Sequence, residues 1–280
     1  MFGRTSQWLR NIIPGDSSEP EVAHRSIAEN VYHGCMPKTA SQWVARLLSS
    51  DETYQYSALR AYAYHRHLPD GVDKRKISDR SFDQPFPPRT VVTPIYLSLP
   101  NMLGIPKPNS WRGFFVMRDP RDIVVSWYFS WKHSHPAMGD VSQGRELLQT
   151  MSLEEGLGFG IDRFQERGMF SSLRSWADLS GREELITARY EDLVGPNQFD
   201  HMRRVFNHCD IRMPDPVLRS LLERNSFSAL TKGRAQGTED VRSHLRKGVQ
   251  GDWKNHFTPA VEKKFREVTG SLVEELGYAW

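Results

Sequence analysis

The stretch from Val31 to Trp43 sets the strongest limit on how this chain folds. A short apolar run, Val31-Tyr32-His33-Gly34-Cys35-Met36, breaks at Pro37-Lys38-Thr39 and resumes as Ser41-Gln42-Trp43-Val44-Ala45-Arg46-Leu47-Leu48. Trp43, Val44, Leu47 and Leu48 fall on one helical stripe, so the pattern predicts a strand, a turn and a helix packed on a sheet. Backbone N–H groups in the first turn of a helix lack intrahelical partners and point outward at any anion. Lys38 and the hydroxyls of Thr39 and Ser41 therefore stand where a phosphate group binds. A Walker A loop, G-x-x-x-x-G-K-[ST], needs glycines where Tyr32 and Pro37 stand, which argues against a nucleoside triphosphatase.

A second strand and helix follow in Gly113-Phe114-Phe115-Val116-Met117-Arg118-Asp119-Pro120-Arg121-Asp122-Ile123-Val124-Val125-Ser126-Trp127-Tyr128-Phe129. Asp119 is the predicted cap and Pro120 takes the first helical position, where its missing N–H costs nothing. Arg118 then lies at the carboxyl end of a strand, the ligand side of an open α/β sheet, and Ser126 lies two turns along the helix. Both can face one phosphate. A third stretch, Leu245-Arg246-Lys247-Gly248-Val249-Gln250-Gly251-Asp252-Trp253-Lys254-Asn255-His256-Phe257-Thr258, has two adjacent cations between glycines. It predicts a loop able to wrap a phosphate and to become ordered on binding it.

These stretches resemble the motifs of sulfotransferases that use 3′-phosphoadenosine 5′-phosphosulfate (PAPS). Pro37-Lys38-Thr39-Ala40-Ser41-Gln42-Trp43 is similar to the P-K-[ST]-G-[ST]-T-W loop for the 5′-phosphosulfate, with Ala40 and Gln42 replacing the usual Gly and Thr. Arg118 to Tyr128 resembles the 3′-phosphate motif R-[DN]-P-x-D-x-x-V-S-x-Y, and Arg246 to Thr258 the R-K-G-x-x-G-D-W-K-N-x-F-T signature of cytosolic-type members. Arg189-Tyr190-Glu191-Asp192-Leu193 looks like R-Y-E-D-L, whose Tyr contacts the adenine side. The resemblance implies an α/β fold with a central parallel sheet flanked by helices, the P-loop-kinase-like sulfotransferase fold. It implies sulfuryl transfer without a metal, with Lys38 neutralising the departing PAP. Thr39, Ala40, Ser41, Gln42 and Trp43 would hold the 5′-phosphate, and Arg118, Ser126, Arg246, Lys247 and Gly248 the 3′-phosphate. Tyr190 would lie beside adenine, and Phe227 would pair with Trp43 around the base or else serve as a core residue.

Many members carry a catalytic His in a T-H-L-P string, whereas the corresponding stretch here is Thr93-Pro94-Ile95-Tyr96. His33, His65, His67, His133, His135 and Asp83 remain candidates, none preferred. The missing His keeps a non-catalytic PAP-binding protein open. A nucleotide kinase on the same fold is the other alternative.

At 280 residues, 38% hydrophobic and 25% charged, the chain suits one soluble domain, expected over 1–280 with residues 1–27 as an N-terminal extension. Two cysteines make no disulfide framework and no recognisable metal site, which fits a cytoplasmic location. A net charge of +3 is too small for a nucleic-acid binder, and no run is long enough for a transmembrane segment. Trp8, Leu9, Ile12 and Ile13 share a helical face that docks on the domain or touches a membrane surface. The partner is a small-molecule, glycan or lipid acceptor, and homo-oligomerisation is left open. The stretch 51–88, rich in Tyr, His, Pro and Arg, reads as helix and loop, with acceptor binding as its functional alternative.

Overall fold

Five short runs rich in β-branched and aromatic residues form one sheet in the computed structural model, which describes residues 20–67, 73–137 and 139–280, with backbone alone for 66 and 67. The strands are β1 (Asn30–Cys35), β2 (Arg60–Tyr62), β3 (Thr90–Ile95), β4 (Trp111–Met117) and β5 (Leu185–Arg189). They lie in the order β2-β3-β1-β4-β5 and every pairing is parallel. Parallel strands need crossover connections, and the helices that make them cover both faces. Hence all six residues of β1 are buried. Tyr32, Phe115 and Met117 enter one apolar cluster, whereas Val31, Cys35, Phe114 and Val116 enter the other.

The principal helices are α1 (Ser41–Leu48), α2 (Pro120–Phe129), α3 (Asp140–Thr150), α4 (Leu153–Glu166), α5 (Met169–Ser175), α6 (Gln198–His208), α7 (Asp215–Arg224) and α8 (Pro259–Thr269). β1 connects toward β2 on one side, while β4 leads toward β5 on the other. The strand order therefore reverses between β1 and β4, and a crevice opens beyond their carboxyl ends. Lys38 follows β1 there and Arg118 follows β4.

One feature differs from the sequence-based expectation. β2 is an edge strand within the stretch expected to be helix and loop, and its three residues are too few to show an alternating pattern. Helix α8 ends at Gly270, at φ +61°, and the chain makes a further short turn at Leu272–Glu275. α4 runs for 14 residues although Gly156, Gly158 and Gly160 lie within it. Its first turn is closed by a capping box, Ser152 with Glu155. The N-terminal segment holding Trp8 to Ile13 lies outside the described residues.

The glycines of α4 are contact points rather than breaks. A Cβ on Gly156 would sit 2.9 Å from Tyr128 Cδ2, and one on Gly160 2.9 Å from the Trp127 ring. A Cβ on Gly158 would meet only the Lys264 side chain, at 3.6 Å. Gly156→Ala should therefore destabilise the fold by about 1–2 kcal/mol through overpacking. Gly158→Ala should stabilise it by about 0.5–1 kcal/mol through helix propensity. Urea unfolding of both variants checks this; a stabilised Gly156→Ala would contradict the packing argument.

Candidate functional site

The turn after β1 is shaped by two residues in the left-handed region, Lys38 at φ +72° and Ala40 at φ +62°. That conformation costs a side-chain-bearing residue roughly 1–2 kcal/mol. It lets Ala40 begin α1, whose N-terminus has no side-chain cap. Its first N–H groups are thus available to an anion. Thr39 is fully buried, and its hydroxyl donates to the Met36 carbonyl at 2.8 Å. That hydroxyl braces the turn from behind. The Ser41 hydroxyl pairs with Tyr96 Oη at 3.0 Å.

Arg118 joins this turn to two other segments. Its Nη1 donates to the Lys38 carbonyl at 2.8 Å, its Nη2 donates to the Val249 carbonyl at 3.3 Å, and the guanidinium lies 4.2 Å from the Tyr190 ring centre. Its buried Nε has no hydrogen-bond partner among the described residues. The adjoining cap is as expected, with the Asp119 carboxylate accepting from Arg121 N at 2.9 Å and Pro120 in the first turn.

Two carboxylates hold the loop that carries Arg246 and Lys247. Asp122, in the first turn of α2, accepts from Gly251 N at 2.6 Å and Trp253 N at 2.9 Å. Asp252 is buried and accepts from Lys247 at 2.6 Å, Asn255 at 3.0 Å and His256 at 3.2 Å, and it pairs with Arg246. Burial alone would raise the Asp252 pKa, but the hydrogen bonds from His256, Lys247, Arg246 and Asn255 hold it well below the usual carboxylate range. The loop is therefore internally tied, where the sequence suggested one that waits for its anion. Arg246 also stacks over Phe129 at 4.3 Å and pairs with Glu239.

Lys38, Ala40, Ser41, Gln42, Trp43, Arg118, Ser126, Tyr190, Arg246, Lys247 and Gly248 line one open cleft of about 1250 Å³, its mouth included. Thr39 lies behind it. Phe227 packs behind Gly248, whose Cβ position is 2.5 Å from the Phe227 ring and whose φ is +70°. Only glycine fits that approach. Trp43 is held by its Nε1 donating to the Asn225 carbonyl at 2.8 Å.

Lys38 has no hydrogen-bond partner or counter-ion among the described residues. Burial, then Arg118 and Arg246, push its ammonium pKa down to about 7. A half-buried ammonium without a counter-ion, acted on by two guanidiniums, is an anion site by charge alone.

The candidate bases separate clearly. His33 is fully buried, stacked on Phe114 at 4.9 Å, with Nδ1 2.8 Å from Thr93 Oγ1, and burial pushes its pKa to about 3. His65, His133 and Asp83 lie outside the cleft walls, and the side chain of His67 lies outside the described residues. His135 lines the cleft, as does His244, which sequence reasoning missed. The enclosing walls, then Lys38 and His135, lower the His244 pKa, although the residue is exposed. Its only signal in the sequence is its position two residues before Arg246.

Comparison with known proteins gives a consistent result. The profile described as "Sulfotransferase domain" matches residues 36–277. Human sulfotransferase 1C2 is 23% identical over 256 residues, covering 83% of this chain and 79% of the relative. Human sulfotransferase 2A1 is 27% identical over 182 residues, 59% of each chain. The fold is similar to that of mouse sulfotransferase SULT7A1 complexed with PAP, with a TM-score of 0.57, 16% identity and coverage of 90% and 86%. It is also similar to retinol dehydratase in complex with androsterone and inactive cofactor PAP, with a TM-score of 0.52, 16% identity and coverage of 90% and 82%.

The depressed Lys38 pKa makes anion binding pH-dependent. Lys38 is charged below pH 7 and loses its proton above it, so an anion that favours the charged form binds best below pH 7. Inorganic sulfate, whose own charge is constant there, should bind about tenfold more weakly at pH 8.5 than at pH 6. Lys38→Met should remove most of that dependence. A wild-type affinity independent of pH, by calorimetry or chemical-shift titration, would contradict the assignment.

Proposed function

We propose that this chain, which belongs to the sulfotransferase family, transfers the sulfuryl group of PAPS to a hydroxyl or amine of an acceptor by in-line displacement. The observation that carries this reading is the uncompensated Lys38 ammonium, which shares with Arg118 and Arg246 a cleft that the uncapped N-terminus of α1 also lines. PAPS presents two anionic groups to match: a 5′-phosphosulfate and a 3′-phosphate.

The 5′-phosphate is assigned to the N–H groups that open α1, with Ser41 beside them. Lys38 meets the bridging oxygen, where negative charge develops as the S–O bond breaks. Such a preorganised donor acts where solvent is excluded and needs no reorganisation at the moment of transfer. The 3′-phosphate is assigned to Arg118, Ser126, Arg246, Lys247 and the Gly248 N–H. Arg246 and Lys247 are already held by Asp252, so their positions do not depend on the ligand. A nucleotide without the 3′-phosphate leaves the buried Arg118 Nε, which has no partner among the described residues, unpaired and is a poor substitute. The adenine is assigned to the side of the cleft formed by Trp43 and Tyr190, with Phe227 supporting Gly248.

The same reading takes residues 1–280 as a single sulfotransferase domain with residues 1–27 as an extension, acting in the cytoplasm on a small-molecule, glycan or lipid acceptor. No helix among the described residues is long and apolar enough to cross a membrane. Incubation with radiolabelled PAPS and panels of phenols, sugars, lipids and peptides, with mass spectrometry of labelled products, tests the activity and identifies the acceptor.

Two substitutions separate the assigned roles. Arg118→Ala should weaken PAP about a hundredfold while weakening adenosine 5′-phosphosulfate far less, because only PAP carries the 3′-phosphate. Equal losses would remove Arg118 from that role. Lys38→Ala should lower kcat at saturating PAPS by about a hundredfold or more. A rise in KM alone, with chemistry limiting turnover, would make Lys38 a binding residue only.

A further inference from the structure

Sulfuryl transfer to a hydroxyl also requires a group that removes the acceptor's proton, and the family's usual His is replaced here. No carboxylate is among the described residues lining the cleft: Asp122 and Asp252 behind it are committed to backbone N–H groups and to cations, and Glu239 is paired with Arg246. Tyr96 is a phenol whose hydroxyl pairs with Ser41, and burial raises its pKa. Tyr190 is likewise raised, chiefly by burial. Two imidazoles remain among the cleft-lining residues, His135 and His244.

We infer that His135 is the catalytic base and that its Nε2 accepts the acceptor's proton. This rests on reading the cleft as the PAPS site. His135 follows the turn Ser130–Ser134 that prolongs α2. Its backbone N–H donates to the Ser130 carbonyl at 2.7 Å, and its own carbonyl accepts from Arg145. Its Nδ1 lies 3.0 Å from the Pro136 carbonyl. A carbonyl can only accept, so Nδ1 carries the proton and Nε2 keeps a free lone pair. Backbone and ring are thus both held, which is what a base of fixed direction needs.

The groups acting on this ring favour its neutral, basic form. Burial, then Lys38 from the turn after β1 and Arg145 from α3, lower its pKa, while the Pro136 contact opposes them. His244, which also lines the cleft, adds no negative charge. The ring is therefore unprotonated at neutral pH. As the acceptor oxygen forms its bond to sulfur, its proton passes to Nε2. The bond from sulfur to the bridging oxygen breaks, and its electron pair leaves on the 5′-phosphate of PAP beside Lys38. The imidazolium then returns its proton to solvent. The step uses only the acceptor and PAPS.

The test uses the full chain saturated with PAP and carrying nitrogen-labelled histidine. The His135 signal is assigned by its loss in His135→Asn, and PAP binding by each protein is measured by calorimetry. At pH 8 the ring should be neutral with the proton on Nδ1. A charged ring, or a proton on Nε2, would overturn the assignment. With radiolabelled PAPS and an acceptor taken from the panel, or water where none reacts, His135→Asn should cut the rate about a hundredfold or more. PAP affinity should remain within about twofold, and imidazole should restore part of the loss in His135→Ala. His244→Asn should cost less than tenfold. An unchanged rate in His135→Asn, or a larger loss in His244→Asn, would also overturn it. Failure of wild-type protein to bind PAP would instead refute the reading of the cleft, and this base with it.

Discussion

Cations gathered in one cleft repel one another, and the surrounding structure is arranged to hold them there. Lys38, Arg118 and Arg246 act on one another strongly enough that Arg118 and Arg246 add to burial in depressing the Lys38 pKa. Arg118 is restrained by the Lys38 and Val249 carbonyls and by Asp122, 3.8 Å away. Arg246 and Lys247 share the buried Asp252. Of these four cations, Lys38 is the one left without a counter-ion among the described residues. The fold thus concentrates its electrostatic debt on the one side chain assigned to meet charge formed during the reaction. Such a site is preorganised, because its dipoles and charges are set before the substrate arrives.

The two aspartates connect this electrostatics to the fold. Asp122 projects from α2 and fixes the backbone at Gly251 and Trp253, so the closing loop is located relative to β4. Arg118 at the end of the same strand reaches back to the turn after β1. The two halves of the cleft therefore meet through side chains on either side of the strand-order reversal between β1 and β4. Aromatic contacts complete the frame: Arg121 lies between Trp253, at 3.7 Å, and Trp280, at 4.7 Å, and ties the chain's final residues to the start of α2.

Much of this was legible in the sequence, because the residues concerned sit at fixed offsets from strand ends. Arg118 ends an apolar run and Asp119-Pro120 opens a helix, so their placement follows from local chemistry. Lys38 is legible for the same reason. What escaped depends on contacts between distant segments. Asp122 and Asp252 stand within recognised motifs, yet their task is to receive donors 129 and 5 residues away, which no periodicity shows. His244 enters the cleft through an irregular loop with no pattern of its own. The glycines of α4 weaken a helix by propensity, and their purpose shows only when Tyr128 and Trp127 are seen against Gly156 and Gly160. Thr39 was assigned to the ligand by its place in the motif, whereas its hydroxyl is turned to Met36.

Proton uptake on PAP binding tests the central claim most directly. At pH 8 the phosphates of PAP are fully ionised, while Lys38, with a pKa near 7, is mostly neutral until an anion restores its charge. Calorimetry in buffers of different ionisation enthalpy should show uptake of close to one proton per PAP bound in the wild-type protein. Lys38→Met should still bind PAP, more weakly, with uptake near zero. Wild-type binding without proton uptake, or equal uptake by the two proteins, would contradict the claim that Lys38 is the uncompensated charge around which the cleft is built.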